Sequence, residues 1–461
     1  MSSSFTQHPA SYRDPSGFIF FYADAYYRQV NKIFKDDFDF FQNSGLYESL
    51  VKKGWLIPHE IINENLSGTR DYYKTLKPEQ VKFISYPYEW SFDMLKDAAL
   101  LTLQLAKESA GYGLILKDAT PYNIQWHNGR MVFIDTLSFE KYNEKEPWIA
   151  YRQFCECFLS PLLLMHYCKQ PLHQMQLAYP EGIPLAVTRS LLPLRSKLSF
   201  HSYLHIHLHA GVSLKNSSNK QPASTFSKQK LLNLLSSLET LINRLRLTAQ
   251  KSTWSDYYAE ASQRKDYLAT KKEIIQDWIE DLPVVKTAAD LGANDGACSR
   301  LLAEKNIFTI AADFDPNCIN NLYISGKKTG EKNLQPLIID LAHPSPAIGL
   351  NNRERSSFMD RASLDLAMAL AVIHHLAIGK NMPFAGIADL FRQITRKWLI
   401  IEFVPKSDEK IQLMLSGKKD IYSDYTEENF EEALKTYFRI EKKQPIGTSG
   451  RILYLMIKYE N

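Results

Sequence analysis

From residue 287 onward the chain alternates short, almost wholly apolar runs with helical stretches, and no other feature narrows its fold as far. The runs are "TAAD" (287–290), "FTIAAD" (308–313), "LQPLIID" (334–340), "LDLAMALA" (364–371) and "KWLIIEFV" (397–404). A strand with one face in solvent alternates apolar and polar residues. Runs that are apolar throughout need burial on both faces, which a parallel sheet flanked by helices supplies. The segments between them, "ACSRLLAEKN", "NCINNLYISGKK", "RERSSFMDRA" and "FAGIADLFRQIT", are the expected helices. "TEENFEEALKTYF", with Thr426 placed to cap it, and "RIEKKQPIGTSGRILYLMIKYE", two strands around a glycine-rich turn, complete the pattern. The expected fold of this half is α/β, a doubly wound, Rossmann-like sheet of seven strands that ends in an antiparallel hairpin.

The first half reads differently. Residues 213–228, "SLKNSSNKQPASTFSK", are polar and nearly free of large aliphatic side chains, and "LLNLLSSLETLINRLRL" at 231–247 has leucines at helical spacing. The expected organisation is an N-terminal α+β domain at 1–212, a polar linker and connecting helix at 213–250, and the α/β domain at 251–461. A length of 461 residues allows each domain its own core. A net charge of +4 over that length gives no electrostatic footprint for nucleic acid or a membrane surface. The cysteines Cys155, Cys157, Cys168, Cys298 and Cys318 are odd in number and lack paired CxxC spacing, so neither a disulfide framework nor a zinc ribbon is expected. The start has no apolar core of a signal peptide, and the greasiest run, "FLSPLLLMHY" at 158–167, is too short to span a bilayer. A cytoplasmic protein without a membrane segment is expected.

At the end of the first apolar strand stands "DLGANDG", Asp290 to Gly296. Glycines between a parallel strand and a helix let backbone approach a ligand closely, and the helix N-terminus offers N–H groups. The second strand ends at Asp313, 23 residues on (313 − 290), where an acid in such folds takes ribose hydroxyls. The third ends at Asp340-Leu341, an acid and an apolar side chain suited to the amino edge and one face of an adenine. The pattern fits a nucleoside cofactor.

"VVKTAADLGANDGACSRLLAE", "IAADFDP", "LIIDLAHPSPAIGL", "LDLAMALAVIHHLA" and "WLIIEFVPK" resemble the successive motifs of class I S-adenosylmethionine-dependent methyltransferases, over about residues 251–461. The resemblance implies that Asp290, Gly292 and Gly296 form the loop near the methionine part, with Asp313 on the ribose and Asp340 and Leu341 at the adenine. Asn294 stands where the commonest pattern has glycine, and asparagine tolerates left-handed backbone better than most residues. The implied activity is methyl transfer from S-adenosylmethionine to a small molecule or a protein side chain.

Methyl transfer from a sulfonium asks for in-line placement and a route for the acceptor's proton. His374 and His375 follow the fourth strand at the edge where an acceptor would lie. Each is either a base near neutral pH or a residue that caps and shapes the cofactor site. Glu402, at the end of the fifth strand, either meets an acceptor or ties down a loop. Upstream, "WSDYYAEASQRKDYLATKK" (254–272) sets Trp254, Tyr257, Tyr258 and Tyr267 among basic residues. It is read both as a segment closing over a sulfonium and as a helix packed on the sheet edge.

In the N-terminal half, "LKDATPYNIQWHNGRMVFIDT" spaces Asp118, Asn123 and Asp135 around a type I′ turn at Asn128-Gly129, after an expected long helix at 93–110. The stretch resembles the catalytic loop of protein-kinase-like folds, including small-molecule kinases, which implies an acid orienting the acceptor and an Asn and an acid holding magnesium. Residues 1–100 lack a glycine-rich phosphate loop, and the strands "FIFFYAD" and "AYYRQV" lack the usual lysine. A degenerate or repurposed kinase-like lobe is therefore the reading, beside active phosphotransfer. Of His201, His205, His207 and His209, the last three would share one face on a strand and splay apart on a helix; with no Cys or carboxylate nearby and no zinc-signature spacing, no metal site is expected. Two rivals to the methyltransferase stay open: a metal- and ATP-dependent kinase-like phosphotransferase, and a regulatory module that binds cofactor without turnover.

Overall fold

The computed structural model describes residues 5–144, 146–208, 226–248, 265–417 and 419–460, which fall into two compact units. Unit 1 comprises Met1–Gln250 with Gly349–Arg355, and unit 2 comprises Lys251–Ile348 with Ser356–Asn461. Most of the 213–228 stretch, His209, Trp254, Tyr257 and Tyr258 lie outside the described residues. Among those described, no helix is long and apolar enough to cross a membrane.

Unit 1 is α+β. Strands β1 (Thr6–Gln7), β2 (Gly17–Tyr22), β3 (Ala25–Asn31), β4 (His59–Ile62) and β5 (Tyr72–Pro78) form an antiparallel sheet in the order β1-β2-β3-β5-β4. Ala23 and Asp24, both at positive φ (46° and 61°), close the β2–β3 hairpin. The helix Phe92–Gly111 buries alanines and leucines along its length, and the leucine-rich helix Lys228–Arg244, capped by Ser227, packs along it. A Lys107–Glu239 pair at 2.6 Å ties the two. Beyond the long helix come β6 (Leu114–Leu116), β7 (Ile124–His127), β8 (Arg130–Phe133) and β9 (Phe139–Lys141). Asn128 and Gly129 (φ 49° and 79°) make the expected tight turn between β7 and β8. The histidine stretch is a π-helical turn at Tyr203–Leu208. His205 bonds to Tyr151 and Ser237, and His207 to Ser196, so these rings are consumed in packing the helices. Among the described residues no three His, Cys, Asp or Glu side chains come together as a metal site would need.

Unit 2 carries β10 (Thr287–Leu291), β11 (Phe308–Asp313), β12 (Leu334–Ile338), β13 (Leu364–Ala369), β14 (Thr395–Phe403), β15 (Phe438–Pro445) and β16 (Ile452–Lys458). They form one sheet in the order β12-β11-β10-β13-β14-β16-β15, parallel from β12 to β14 and antiparallel at β16 and β15. This is a Rossmann-like sheet with a terminal hairpin. The strand order reverses between β10 and β13, the switch point at whose carboxyl edge such sheets hold a crevice. Ile275 and Trp278, from the helix Lys265–Asp281, pack with Leu366, Met368 and Ile400 of the sheet in one buried cluster. Truncating Ile275 or Leu366 to alanine would cost about 2–5 kcal/mol.

One expected helix is corrected. Only Phe358–Arg361 of 353–362 is helical, started by a Ser357–Asp360 capping box. Gly349, Asn351 and Asn352 turn at positive φ ahead of it, and the buried Glu354 spends its carboxylate on Tyr12, Arg13 and Arg355, which holds this stretch in unit 1.

Candidate functional site

At the carboxyl edge of unit 2 lies a cavity of about 320 Å3. Asp290, Gly292, Asn294, Asp313, Asp340, Leu341 and His375 all line it. Gly296, His374 and Glu402 do not.

The loop after β10 is set by backbone geometry. The N–H groups of Gly292 and Ala293 both donate to the Ala312 carbonyl, at 2.8 and 3.0 Å, which folds the loop back over β11. Gly292 has φ +89°, and a Cβ built on it would stand 2.3 Å from Val372 Cγ2. Asn294 takes φ +49°, which its short polar side chain tolerates, so the departure from glycine leaves the turn intact. Gly296, at φ +76°, caps the helix Ala297–Glu304 against Leu322 and stands back from the cavity wall. Gly292→Ala combines a left-handed backbone with a clash, so it should lower unfolding stability by about 1–3 kcal/mol in a urea titration, with the cavity distorted even where the chain folds.

Three acids stand at or just beyond the carboxyl ends of three adjacent strands. Asp290 is buried and accepts the Ser299 hydroxyl at 2.6 Å; burial pushes its carboxyl up to about 6. Asp313 accepts the N–H of Asn294 and of Asp315, both at 2.9 Å, and burial raises it to about 6 as well. Asp313 lines the cavity, and a carboxylate offers about four acceptor sites, so capacity remains beyond the backbone N–H groups of Asn294, Phe314 and Asp315. Asp340 accepts from Ala342 N–H at 2.9 Å and pairs with Lys380 at 3.2 Å.

On the far side of β10 the wall is apolar, made of Leu370, Ala371, Val372 and Leu376. Ala371 sits at φ +54°, a strained value for a residue with a Cβ. A π-helical turn, His375–Gly379, follows it. Burial, with the Arg451 charge, pushes His375 down to about 4, so it is neutral at neutral pH. His374 is wholly buried 4.0 Å from the His375 ring, and neither of its ring nitrogens meets a hydrogen-bond partner. Burial holds it far below the ordinary histidine range, and it packs as an apolar plate behind His375.

Glu402 is also fully buried. It accepts from the Tyr267 hydroxyl at 2.5 Å and pairs with Lys271 at 3.2 Å and Arg451 at 3.4 Å, while Arg451 reaches Asp408 at 2.9 Å. Burial opposes the Glu402 charge, but Lys271 and Arg451 outweigh it and hold the carboxyl below the ordinary glutamate range. Sequence reasoning did not single out Lys271, Phe314, Lys380 or Met414 as cavity residues. For Lys271 the signal was its i, i+4 spacing from Tyr267 in a basic, aromatic stretch.

In unit 1, Asn123 donates to Asp118 at 3.0 Å. Asp135 is committed elsewhere: Arg28 of β3 meets one oxygen at 2.5 Å and the Ser138 hydroxyl meets the other at 2.5 Å.

Compared with known proteins, the chain is 34% identical over 466 residues to nodulation protein NoeA of Rhizobium meliloti (strain 1021), covering 98% of the chain and 96% of that protein. The chain belongs to the NoeA family. No family model matches it. Among solved structures, magnesium protoporphyrin IX methyltransferase (ChlM) from Synechocystis PCC 6803 with bound SAH aligns at 14% identity and TM-score 0.31, over 46% of this chain and 90% of that one. WbdD aligns at 16% identity and TM-score 0.30, over 48% and 46%. Likenesses at this level bear no weight on function, and the relation to NoeA carries no reaction in its name.

Proposed function

We propose that this NoeA-family chain is an S-adenosylmethionine-dependent methyltransferase acting on a small molecule or a protein side chain. One observation carries the reading: Asp290, Asp313 and Asp340 stand at the carboxyl ends of three neighbouring strands, around a loop whose left-handed turn at Gly292 has no room for a side chain without a shift of Val372. The residues present fit the cofactor. Asp313, which lines the cavity, would take the ribose hydroxyls, and Asp340 and Leu341 the adenine. Bound there, S-adenosylmethionine supplies an electrophilic methyl on a sulfonium.

The chain's own part is placement and charge control. His375, neutral through the physiological range, would accept a hydrogen bond from an acceptor hydroxyl or amine without setting a second cation beside the sulfonium. His374 supports its ring, and Glu402, sealed by Lys271, Tyr267 and Arg451, is a positioning residue with no path to an acceptor. Calorimetric titration with S-adenosylmethionine tests this. Wild type should bind and Asp290→Ala should bind at least roughly tenfold more weakly, since a buried acceptor is lost from the loop. A wild type that does not bind refutes the reading.

A second reading concerns unit 1, which we propose is a kinase-like lobe repurposed as an accessory domain. The Asp118–Asn123 bond supports the kinase-like loop, and the Arg28–Asp135 pair supports repurposing, because a magnesium ion would have to displace the guanidinium. Titration with ATP and magnesium should then give no binding that depends on Asp135. Binding that Asp135→Ala abolishes would restore the phosphotransferase alternative.

A further inference from the structure

We propose that the surface of unit 1 formed by residues 185–208 binds anionic lipid bilayers, with its exposed leucines and Phe200 entering the acyl boundary while Arg189, Arg195 and Lys197 meet the headgroups. The inference is independent of the cofactor reading.

Charge is spread unevenly along the chain. Between Glu181 and Glu239 the sequence has no Asp or Glu and seven Lys or Arg. The other 48 of the 55 Lys and Arg residues stand against all 51 acids, so the net charge of +4 conceals one strongly basic segment in a slightly acidic remainder. In the described part of that segment Arg189, Arg195 and Lys197 are all exposed. None of the three meets a carboxylate among the described residues, and Arg195 donates instead to the Tyr167 carbonyl at 2.5 Å.

Four short helical pieces, Leu185–Leu191, Leu194–Leu198, Phe200–Ser202 and Tyr203–Leu208, pack on one another. They turn Leu185, Ser196 and Ile206 inward and leave Leu191, Leu194, Leu198, Phe200, Tyr203 and Leu208 outside. Three of these protrude furthest: Leu194, Leu198 and Phe200 are 77%, 88% and 72% exposed. The cations belong to the same region. Burial and then the charges of Lys197 and Arg189 lower His207 below the ordinary histidine range, so both cations lie near a ring on which Tyr203 stacks at 6.2 Å. Single exposed leucines are ordinary, but a group of them beside cations that no acid neutralises marks an interaction surface.

The combination selects the partner. A nucleic-acid backbone would satisfy the cations and leave the leucines in water, and a protein groove would have to be shaped to side chains that protrude this far. The boundary of a bilayer takes both without a matching shape. Apolar side chains leave water on entering it, and Lys and Arg keep their charged heads among the phosphates.

Flotation of the full chain with vesicles of phosphatidylcholine, alone or mixed with phosphatidylglycerol, tests this. Wild type should bind the mixed vesicles at least roughly tenfold more tightly than phosphatidylcholine alone, and added salt should release it. Arg189→Gln with Lys197→Gln should weaken that binding roughly tenfold or more, at about fivefold per cation near the surface. Leu198→Ser with Phe200→Ser should also weaken it roughly tenfold or more, through the lost apolar burial. All four side chains are exposed, so both double variants should keep the urea midpoint of wild type. No flotation, or equal flotation with the two kinds of vesicle, overturns the inference. So does flotation unchanged in the folded Leu198→Ser, Phe200→Ser protein. Tighter binding of a single-stranded oligonucleotide than of the mixed vesicles overturns it in favour of nucleic acid. A wild-type dimer in sedimentation that the Leu198 and Phe200 changes dissociate overturns it in favour of a second copy of the chain.

Discussion

Asp313→Ala should lower the affinity for S-adenosylmethionine by roughly a hundredfold or more, the loss of two hydrogen bonds to a charged acceptor at 1.4 kcal/mol per tenfold. The effect is large because Asp313 works on both sides of itself. Its oxygens accept the Asn294 and Asp315 N–H groups at 2.9 Å, which fixes the loop, and their remaining lone pairs would meet the ligand. Asp313→Asn keeps one oxygen and should lose less. The same residue predicts a pH dependence. Its carboxyl is pushed up to about 6 by burial, and ligand hydroxyls favour the ionised form. Affinity should then be level above about pH 6 and fall as the pH drops through that value, a decline that Asp313→Asn abolishes. Isothermal titration across pH 5 to 8 reads both. Affinity unchanged in Asp313→Ala would remove this acid from the site.

What could be read from the sequence was what short-range chemistry dictates. Strands buried on both faces betray themselves as unbroken apolar runs, and β10, β11 and β13 fall within two residues of the expected bounds. Loop glycines and strand-end acids are local as well: Gly292, Asp313 and Asp340 were found by position alone and line one cavity. What could not be read depends on residues far apart in the chain. Nothing in "RERSSFMDRA" says that Glu354 will spend its carboxylate on Tyr12 and Arg13, more than 340 residues away, so its helical pattern misled. The partners of Glu402 come from 131 to 135 residues upstream and 49 downstream, and a strand-end glutamate looks the same in sequence whether it faces a substrate or is sealed in. The histidine pair was likewise a single motif with two fates, His375 at the cavity wall and His374 behind it.

Those fates make Glu402 the second position where a large effect is expected, on stability before activity. Removing its carboxylate in Glu402→Ala takes from Lys271 and Arg451, which are 5% and 3% exposed, the acid they share, while Arg451 keeps its pair with Asp408. Breaking a buried pair while keeping its cations costs about 3–5 kcal/mol, far more than the pair contributes against a neutral replacement. Glu402→Gln keeps the shape and an acceptor, so a smaller loss is expected. The sign of the pH effect follows from the depressed carboxyl: its stabilisation is complete above the ordinary glutamate value of 4.5 and is lost as the pH falls below that toward the lowered native value. Urea unfolding at pH 7 and at pH 4 should therefore separate wild type from Glu402→Ala widely at the first and less at the second. A glutamate acting as the base would behave otherwise, losing methyl transfer in Glu402→Gln with the urea midpoint unmoved. That outcome would return Glu402 to the reacting centre and would require its carboxylate to exchange Tyr267 and Lys271 for an acceptor during turnover.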